Sequence, residues 1–278
     1  MKTQSIFSVL AGTIVAGLFV AGCSSGSADT EGKTENVDKP LVVAMELAYP
    51  PFETKDSAGN PEGVSVDFIT DFAEAYGYDL TIENTSFDGL IPMLQTGKAD
   101  AVMSSMTITE ERSQSVDFSD PYAKAQLAIL ANSGSGIETI EDLNQPGRVV
   151  AVKTGSTGDV FATKNLDQAN IVRLADESAC VTEVVQGKAD GFLYDQLTIY
   201  RNQARNPEST DAVFIPFQDV EYWGIAVAKD HQELLDQINE FIAEYSEDGG
   251  FDRITEKHLS EEKSAFDDLG FSWFFDLD

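Results

Sequence analysis

Cysteine, histidine and cationic residues are scarce in this sequence of 278 residues. It holds 2 cysteines and 2 histidines, and its 18 lysines and arginines face 48 aspartates and glutamates. His231 and His258 lie far apart in polar surroundings, so the sequence predicts no metal site, no Ser-His-Asp catalysis and no cofactor. A formal net charge of −30 repels nucleic acid and anionic lipid surfaces, and we exclude nucleic acid as a partner.

The two cysteines stand in unlike surroundings. Cys180 lies inside the helical pattern ESACVTEVVQGK with no histidine or cysteine beside it, so we predict a buried and unreactive thiol. Cys23 directly follows the uncharged run IFSVLAGTIVAGLFVAG, which begins shortly after Lys2 and ends in small residues. That order is typical of a signal peptide, which we predict over residues 1–22. The alternative is a transmembrane anchor, because the run is nearly long enough to span a bilayer.

The stretch after Cys23 reads SSGSADTEGKTENVDKP and is rich in serine, glycine and charge. Large apolar side chains become frequent only from Leu41 onward. A segment of this composition cannot bury enough apolar surface to fold, so residues 23–40 are predicted to form a flexible tether before the folded body.

Strand patterns alternate with helical patterns throughout the folded body, which favours parallel α/β sheets. The tetrapeptide Gly-Lys-Ala-Asp occurs at 97–100 and again at 187–190, each time between a helical pattern and an apolar run. Each copy predicts a helix ended by glycine and then a buried strand, the first ending at Ser105 and the second at Asp195. Two related, doubly wound sheets are therefore expected to face a shared cleft, with the ligand beyond the strand ends.

A short helix predicted after Thr109 begins with an unfavourably placed cation. Thr109 is the expected cap, and two acids and Arg112 follow in the first turn. Acids are favoured in a first turn, whereas a cation there opposes the helix dipole. Arg112 thus indicates an external carboxylate, bound together with free backbone N–H groups. The alternative is an ion pair with a surface acid such as Asp67 or Asp71.

The other wall of the expected cleft offers an anion-friendly loop and a carboxylate. Residues 153–158, KTGSTG, lie between a strand and a helix, where N–H groups and hydroxyls favour an anion, but they lack the spacing of a phosphate-binding loop. Asp195 is placed either to accept an ammonium group or to cap the next helix. A carboxylate clamp on one lobe and an ammonium clamp on the other fit an amino acid zwitterion.

The segment AMELAYPPFE places an acid and aromatic residues near the first strand. Pro50-Pro51 stiffens the loop that carries Tyr49. Tyr49 and Phe87 are candidates to sandwich an apolar ligand stem, with ordinary core packing as the alternative. Glu46 ends the strand, and a buried acid there needs a hydrogen-bond donor or a cation.

Several motifs together resemble one known family. Val-Ala-Gly-Cys at 20–23 resembles the bacterial lipobox. The motifs AMELAYPPFE, GVSVDF, FDGLIPMLQTGKADAVMSSMTITEER, VDFSDPY, VVAVKTGSTG, GKADGFLYD and WGIAVAKD resemble the family 3 solute-binding proteins of polar amino-acid ABC importers. This resemblance runs from about Leu41 to about His258. It implies an α/β, two-lobe periplasmic-binding-protein-like fold, with a doubly wound sheet in each lobe and the ligand between them, and a binding protein rather than an enzyme.

The resemblance also implies the location and the partners of the protein. Cleavage before Cys23 and lipidation of its thiol would anchor the protein to the cell membrane on the extracytoplasmic face. It would act there as a monomer that delivers its amino acid to a membrane permease.

For the domains, the resemblance implies a chain that crosses between the lobes near residues 131–133 and 218–221. The first lobe would comprise residues 41–131 plus 220–278, and the second lobe residues 132–219. The run AKAQLAILA, which ends at the first crossing, is expected to form one long strand.

For the ligand, the resemblance implies an α-carboxylate held by Arg112 and an α-ammonium group held by Asp195. Because Glu46 would meet the polar end of the side chain, a basic or amide side chain is favoured over an acidic one. The other implied contacts are Ser105, Thr107 and Thr157 beside the carboxylate, Tyr49 and Phe87 on the side chain, and Ser104, Lys153 and Ser156 as secondary contributors.

Two other functions are alternatives on the same scaffold. One is a cyclohexadienyl or prephenate-type dehydratase, for which Glu46 is the only obvious general acid. The other is a ligand-binding sensor subunit that reports to a partner protein.

The carboxy-terminal tail departs from the resemblance. It contains an apolar cluster, Phe271, Trp273, Phe274 and Phe275. So many large apolar side chains are expected to pack back onto the first lobe, and docking of a partner is the alternative.

Overall fold

The computed structural model describes residues 39–277 of the chain. The predicted signal peptide, Cys23 and almost all of the predicted tether lie outside the described residues. Within the described range, none of the helices combines the length and the apolar character that crossing a membrane requires.

Strands and helices alternate along the described range, as the sequence patterns predict. The strands are β1 Lys39–Met45, β2 Thr54–Lys55, β3 Pro61–Glu62, β4 Tyr78–Asn84, β5 Ala101–Val102, β6 Asp117–Phe118, β7 Ala123–Ala125, β8 Leu127–Asn132, β9 Val149–Lys153, β10 Asn170–Leu174, β11 Gly191–Asp195, β12 Thr210–Val213, β13 Glu221–Trp223 and β14 Ala226–Val227. The helices are α1 Val64–Tyr76, α2 Leu90–Gln95, α3 Glu110–Ser113, α4 Ile140–Leu143, α5 Thr157–Asn165, α6 Glu177–Val185, α7 Gln196–Arg205, α8 Gln232–Glu247, α9 Gly250–His258 and α10 Ser260–Leu269, and a 3-10 turn at Phe87–Gly89 precedes α2.

The first lobe is built on a five-stranded sheet in the order β4-β1-β5-β14-β6. β1 pairs in parallel with β4 and β5, so Leu41 lies opposite Leu80 and Val43 lies opposite Ala101. Phe68, on the apolar face of α1, packs in the same core as Val43. β14 lies antiparallel between β5 and β6, so a strand from late in the chain sits inside the sheet that begins it.

The second lobe has a sheet in the order β10-β9-β11-β8-β12 and is covered by helices on both faces. Along β8, Ile129 and Ala131 belong to a core that includes α5, whereas Ala128 and Leu130 belong to a core that includes α6 and α7. A strand buried on both faces is expected to be continuously apolar, as β8 is. β9, β10 and β11 are parallel, but β8 is antiparallel to β11 and β12. The expected parallel pairing therefore holds for only part of each sheet, because β8 and β14, the strands that follow a crossing between the lobes, enter antiparallel.

The run AKAQLAILA does not form one strand. It breaks at Gln126 into β7 and β8, which belong to different sheets. β7 pairs with β13 in a two-stranded sheet, here called the crossover ribbon. β8 pairs with β11 and β12, so the predicted boundary at residue 131 is wrong: residues 127–131 belong to the second sheet by their backbone hydrogen bonds. The chain enters the second sheet after Gln126 and returns between Val213 and Glu221.

The aromatic tail packs on the first lobe, as predicted. Trp273 and Phe274 are buried in the core that contains α1 and α8. The carbonyl of Phe274 accepts the backbone N–H of Lys124, in the crossover ribbon, at 2.7 Å. Phe271 contacts the segment just after β12, where its ring centroid lies 4.9 Å from that of Phe214.

The two copies of Gly-Lys-Ala-Asp form the same local structure. The glycine of each copy is left-handed, with φ of 65° in the first and 68° in the second, and it lies two residues after the end of α2 or α6. The aspartate of each copy then binds the backbone of a valine in the neighbouring strand. Asp100 Oδ2 accepts the N–H of Val42 at 2.8 Å, and Asp190 Oδ2 accepts the N–H of Val149 at 2.8 Å. The backbone N–H of each aspartate returns a hydrogen bond to the carbonyl of the same valine.

Candidate ligand-binding site

The two lobes meet around a small cavity of ≈ 30 Å³. Eight of the predicted site residues line this cavity: Tyr49, Phe87, Ser105, Thr107, Arg112, Ser156, Thr157 and Asp195. The other three, Glu46, Ser104 and Lys153, do not line it. A wider cavity of ≈ 780 Å³ shares Phe87, Arg112 and Thr157 with it. The predicted residues therefore converge on one place, although they come from segments spread over some hundred and fifty residues.

Arg112 lies in the first turn of α3 and reaches across the cleft. Thr109 caps this helix, as predicted, by accepting the backbone N–H of Arg112 at 3.2 Å. The guanidinium donates from Nη1 to the carbonyl of Thr107 at 2.7 Å and from Nη2 to that of Gly155, in the second lobe, at 3.0 Å. Its central carbon lies 5.4 Å from the centroid of the Phe87 ring. Burial lowers the pKa of Arg112, but a guanidinium stays charged at neutral pH.

Neither surface acid named as an alternative partner binds Arg112. Asp67 forms its ion pair with Lys257, and Asp71 accepts the hydroxyl of Tyr245 at 2.8 Å. The interpretation of Arg112 as a partner of these acids is therefore wrong. Within residues 39–277 the Arg112 guanidinium forms no ion pair within 4.0 Å, so its charge faces the cavity.

A carboxylate from the crossover ribbon stands between the two threonines of the predicted site. Glu221 Oε2 accepts the hydroxyls of Thr107 and Thr157, both at 2.9 Å, and Oε1 accepts the side-chain amide of Gln218 at 2.6 Å. Burial raises the pKa of Glu221, whereas these hydrogen bonds and the charge of Arg112 lower it. Glu221 thus joins the first lobe to the second beside Arg112.

Asp195 caps the helix that begins after it and also faces the cavity. Its Oδ1 accepts the backbone N–H groups of Leu197 at 2.9 Å and Thr198 at 3.1 Å, which confirms the capping interpretation. Its Oδ2 accepts the hydroxyl of Tyr49, from the first lobe, at 2.6 Å. Burial raises the pKa of Asp195, and the hydrogen bonds from Tyr49 and the helix act against that rise. Tyr49 therefore contacts the carboxylate through its hydroxyl, in addition to lining the cavity with its ring.

A buried ion pair joins the lobes beside the cavity. Lys153, at the end of β9, donates to Glu46, just after β1, and the two side chains are 1% and 6% exposed. The Lys153 ammonium also donates to the hydroxyl of Tyr194 at 3.3 Å and lies 5.0 Å from the centroid of the Phe87 ring. The cation that a buried Glu46 requires is thus supplied from the opposite lobe.

Ser104 and Ser105 contact a buried acid, Glu53, that no sequence pattern singled out. Glu53 accepts hydrogen bonds from the hydroxyls of Ser65 at 2.7 Å, Ser105 at 3.2 Å and Ser104 at 3.4 Å. Burial raises the pKa of Glu53 to about 8, although the serine hydrogen bonds lower it. The hydroxyl of Ser104 also accepts the backbone N–H of Glu46 at 3.0 Å. These serines therefore fix the floor of the site by internal hydrogen bonds.

Two predicted residues are placed differently from the expectation. Ser105 does not end a strand, because β5 stops at Val102; it lies in the following turn with φ of 46°, a conformation uncommon for serine. Ser156 lines the cavity, but its hydroxyl accepts the backbone N–H of Asp159 at 3.2 Å and caps α5. Its hydroxyl is thus already bonded within the second lobe.

Three polar residues of the site escaped the sequence reasoning, Glu53, Tyr194 and Glu221, and so did the apolar lining residues Leu127 and Trp223. Glu53 and Tyr194 lie inside motifs that were quoted, AMELAYPPFE and GFLYD, and an acid within an otherwise apolar buried stretch is a usable signal. No local pattern marks Glu221, because its partners Thr107 and Thr157 lie 114 and 64 residues away along the chain.

The described residues offer little to metal or thiol chemistry. Between residues 39 and 277, no group of three or more His, Cys, Asp or Glu side chains is arranged to hold a metal ion. Cys180 is buried among α6 and the second sheet, as predicted. Burial raises the pKa of its thiol to about 12, so at neutral pH it is protonated and a poor nucleophile.

Comparison with known proteins places the chain in a family. Residues 41–261 match the model of the bacterial extracellular solute-binding proteins, family 3. The ABC transporter glutamine-binding protein of Bacillus subtilis is 30% identical over 274 residues, which cover 93% of this chain and 98% of the relative. The L-arginine-binding protein of Pseudomonas aeruginosa is 32% identical over 232 residues, 80% of this chain and 89% of the relative. An ancestral arginine-binding protein solved with arginine superimposes with a TM-score of 0.73 at 36% identity, over 79% of this chain and 98% of that one.

These relatives decide the class of the protein. The two-lobe periplasmic-binding-protein-like fold is confirmed, since the solved structures that match are amino-acid-binding proteins. The curated relatives are binding proteins, so the dehydratase alternative is set aside and the chain is a solute-binding protein, not an enzyme. The chain belongs to the bacterial extracellular solute-binding proteins of family 3.

Proposed function

We propose that this protein captures a polar L-amino acid outside the cell membrane and delivers it to the permease of an ABC importer. One observation carries the proposal: Arg112 and Asp195 come from opposite lobes and line the same cavity. A guanidinium and a carboxylate on facing walls match the two charges of an amino acid zwitterion. The relatives that bind glutamine and arginine support this substrate class.

In this proposal Arg112 pairs bidentately with the α-carboxylate, and Asp195 accepts the α-ammonium group. Tyr49 holds the Asp195 carboxylate in place through its hydroxyl. The other proposed contacts are Ser105, Thr107 and Thr157 near the α-carboxylate, Phe87 along the side chain, and Glu46, Lys153, Ser104 and Ser156 around its polar end and the walls.

Lobe closure is the proposed binding motion. A cavity of ≈ 30 Å³ has room for only a few water molecules, so the lobes must separate to admit an amino acid. The two crossings, at Gln126 and at residues 214–220, are the proposed hinge, which assigns residues 39–125 and 221–277 to the first lobe and 127–213 to the second. A ligand that touches both walls stabilises the closed form by contacts it lacks in the open form.

Within the basic or amide class, the buried ion pair favours an amide side chain. A side-chain amide has an oxygen to accept from Lys153 and an NH₂ group to donate to Glu46. A cationic side chain would place a second cation beside Lys153, and an acidic one would place a second anion beside Glu46. Glutamine is therefore our first candidate ligand, with arginine, lysine and histidine after it.

The location and partner of the protein are also proposals. Cleavage after residue 22 and lipidation of Cys23 would hold the protein at the extracytoplasmic face of the cell membrane, with residues 24–40 as tether. The anchored protein would act as a monomer and dock its closed form on the permease. The family description, bacterial and extracellular, supports this location.

The proposal is tested by measuring melting temperature and calorimetric affinity against the twenty amino acids. We expect L-glutamine or a basic amino acid to raise the melting temperature. At a hundredfold excess of ligand over Kd, binding should add about 3 kcal/mol to the free energy of unfolding. Arg112→Ala should abolish this binding, since it leaves the α-carboxylate unpaired in a buried site.

Arg253→Ala is the matched control, because Arg253 is exposed on α9 and contacts the carbonyl of Asp248 and the ring of Tyr245, both away from the cavity. It should bind as the parent protein does. A parent protein that binds no amino acid, or an Arg112→Ala variant with undiminished affinity, would contradict the proposed function.

A further inference from the structure

Glu221 binds both of the threonines that stand beside Arg112. One oxygen of its carboxylate accepts the hydroxyl of Thr107 in the first lobe and that of Thr157 in the second, both at 2.9 Å. Its other oxygen accepts the amide of Gln218 at 2.6 Å. A carboxylate of the protein itself therefore lies at the wall where an amino acid would present its own.

Charge makes these two carboxylates competitors. Both Glu221 and Arg112 line the small cavity, and Arg112 is the cation proposed to hold the ligand. A ligand carboxylate beside the same two threonines would lie close to that of Glu221, and in a water-poor site the two negative charges repel each other, so both cannot be held there at full strength. An amino acid therefore binds fully only when the Glu221 side chain has moved away from the threonines.

The position of Glu221 in the fold would allow a ligand carboxylate to replace its side chain at the two threonines. It begins β13 and pairs with Ala125 in the crossover ribbon, between the two lobes. Its bonds to Thr107 and Thr157 span the lobes, so they can form together only while the lobes are close. Glu221 thus stabilises contact between the lobes through the same two hydroxyls that border the ligand's carboxylate.

We propose that Glu221 is a specificity-determining residue that competes with the α-carboxylate of the ligand for Thr107 and Thr157, beside Arg112. The inference rests on the proposed function, because it concerns the same site. The competition lowers the affinity for every α-amino acid. It also disfavours ligands with a second carboxylate, such as glutamate and aspartate, which bring another negative charge to a cavity that already contains one.

Calorimetric titration of the purified protein and its Glu221→Gln variant tests the proposal. The probes are L-glutamine, L-arginine, L-lysine and L-histidine, each with its α-carboxamide, which lacks the negative charge. We expect Glu221→Gln to lower Kd for the amino acids at least about tenfold and to change Kd for the carboxamides by less than about twofold. A carboxamide that binds neither protein also supports the proposal, since the gain is then confined to the charged form.

Asp211→Asn is the matched control, because it removes the same charge from an exposed side chain on β12, outside the cavity and both crossings. It should leave every Kd unchanged. Unchanged or weaker amino-acid binding by Glu221→Gln would overturn the proposal, and so would equal tightening for the carboxamides or by Asp211→Asn. If Glu221→Gln loses its circular dichroism signal, Glu221→Ser provides the same comparison.

The outcomes separate this inference from the proposed function. If the parent protein binds an amino acid and Glu221→Gln does not tighten it, only the inference fails. If neither protein binds any probe, both fail. Binding by Glu221→Gln alone supports both, since the parent protein would then be held back by its own carboxylate.

Discussion

The two lobes contain the same tetrapeptide, Gly-Lys-Ala-Asp, and it has the same structural role in each. Its glycine lets the preceding helix end in a left-handed conformation, where a side chain would be strained. Its alanine is buried, and its aspartate binds the backbone of the neighbouring strand at both of the valine's polar groups. The repeat thus fixes the frame of each lobe.

The residues directly after the repeat differ between the lobes. In the first lobe β5 ends after two residues, and the chain turns through Ser105, which contacts the neutral hydroxyl network around Glu53. In the second lobe β11 continues for five residues and delivers Asp195, a carboxylate, to the cavity. The same local structure can therefore place different side chains at the cavity, because only the residues after the repeat face the ligand.

The largest expected effect comes from replacing a residue that follows the repeat in each lobe, Ser105 in the first and Asp195 in the second. Asp195→Ala should lower amino-acid affinity by about 3 kcal/mol or more, because a buried ammonium group loses its only proposed carboxylate. Ser105→Ala should cost only about 1 kcal/mol, the value of a neutral hydrogen bond. Calorimetry on both variants measures the difference.

Asp195→Asn controls for the helix cap, since asparagine also caps helices well. It should keep the melting temperature of the ligand-free protein and still lose affinity. Equal losses for Ser105→Ala and Asp195→Ala would remove the distinction between the lobes.

A smaller effect, on the pH dependence of stability, is expected from a buried glutamate with a raised pKa in each lobe. Burial raises the pKa of Glu53, in the first lobe, and of Glu177, in the second, to about 8. Such an acid holds its proton in the folded state after the unfolded chain has released it, so stability is highest near the ordinary glutamate pKa and falls as pH rises toward 8. Linkage predicts a loss on the order of 2 kcal/mol per group between about pH 6 and about pH 8.

Urea unfolding at several pH values measures this slope. Glu53→Gln and Glu177→Gln should each remove about half of it. A slope unchanged in both variants would show that neither glutamate keeps its proton in the folded protein.

The smallest effect concerns the aspartates of the repeat. Asp100→Ala should cost about 1 kcal/mol, because a backbone N–H in β1 loses its acceptor. Asp190→Ala should cost about 2 kcal/mol, because it also removes the partner of Arg148, 2.7 Å away. Hydrogen exchange should show faster exchange in the first sheet for one variant and in the second sheet for the other.

Asp211→Ala, on an exposed position of β12, is the control for lost charge. It should leave both sheets as protected as in the parent protein. Equal loosening of both sheets by Asp100→Ala would show that the lobes do not unfold separately.

Local patterns in the sequence predicted most of the fold. The helices α1 and α8 arise from apolar residues at helical spacing, and both copies of the repeat end helices as their glycines predict. Arg112 and Asp195 were found because each is a charge at a strand or helix end. These features depend on residues within a few positions of one another.

Long-range pairing could not be predicted in the same way. The break at Gln126 has no turn residue to mark it, and it arises because β7 and β8 find partners in different sheets. The pairing of Glu46 with Lys153 joins residues 107 positions apart, and neither side chain identifies the other in the sequence. Glu221 was missed for the same reason.

The interleaving of the first lobe has a consequence for the order in which the chain folds. The second sheet uses only residues 127–213, so all its strands leave the ribosome well before the end of synthesis. The first sheet needs β14 at its interior, and its core needs Trp273 and Phe274 from the last residues of the chain. Contacts between such distant segments form slowly, because a long loop must close before they are made. The second lobe can therefore complete its fold first, while the first lobe has to wait for the carboxy-terminal residues.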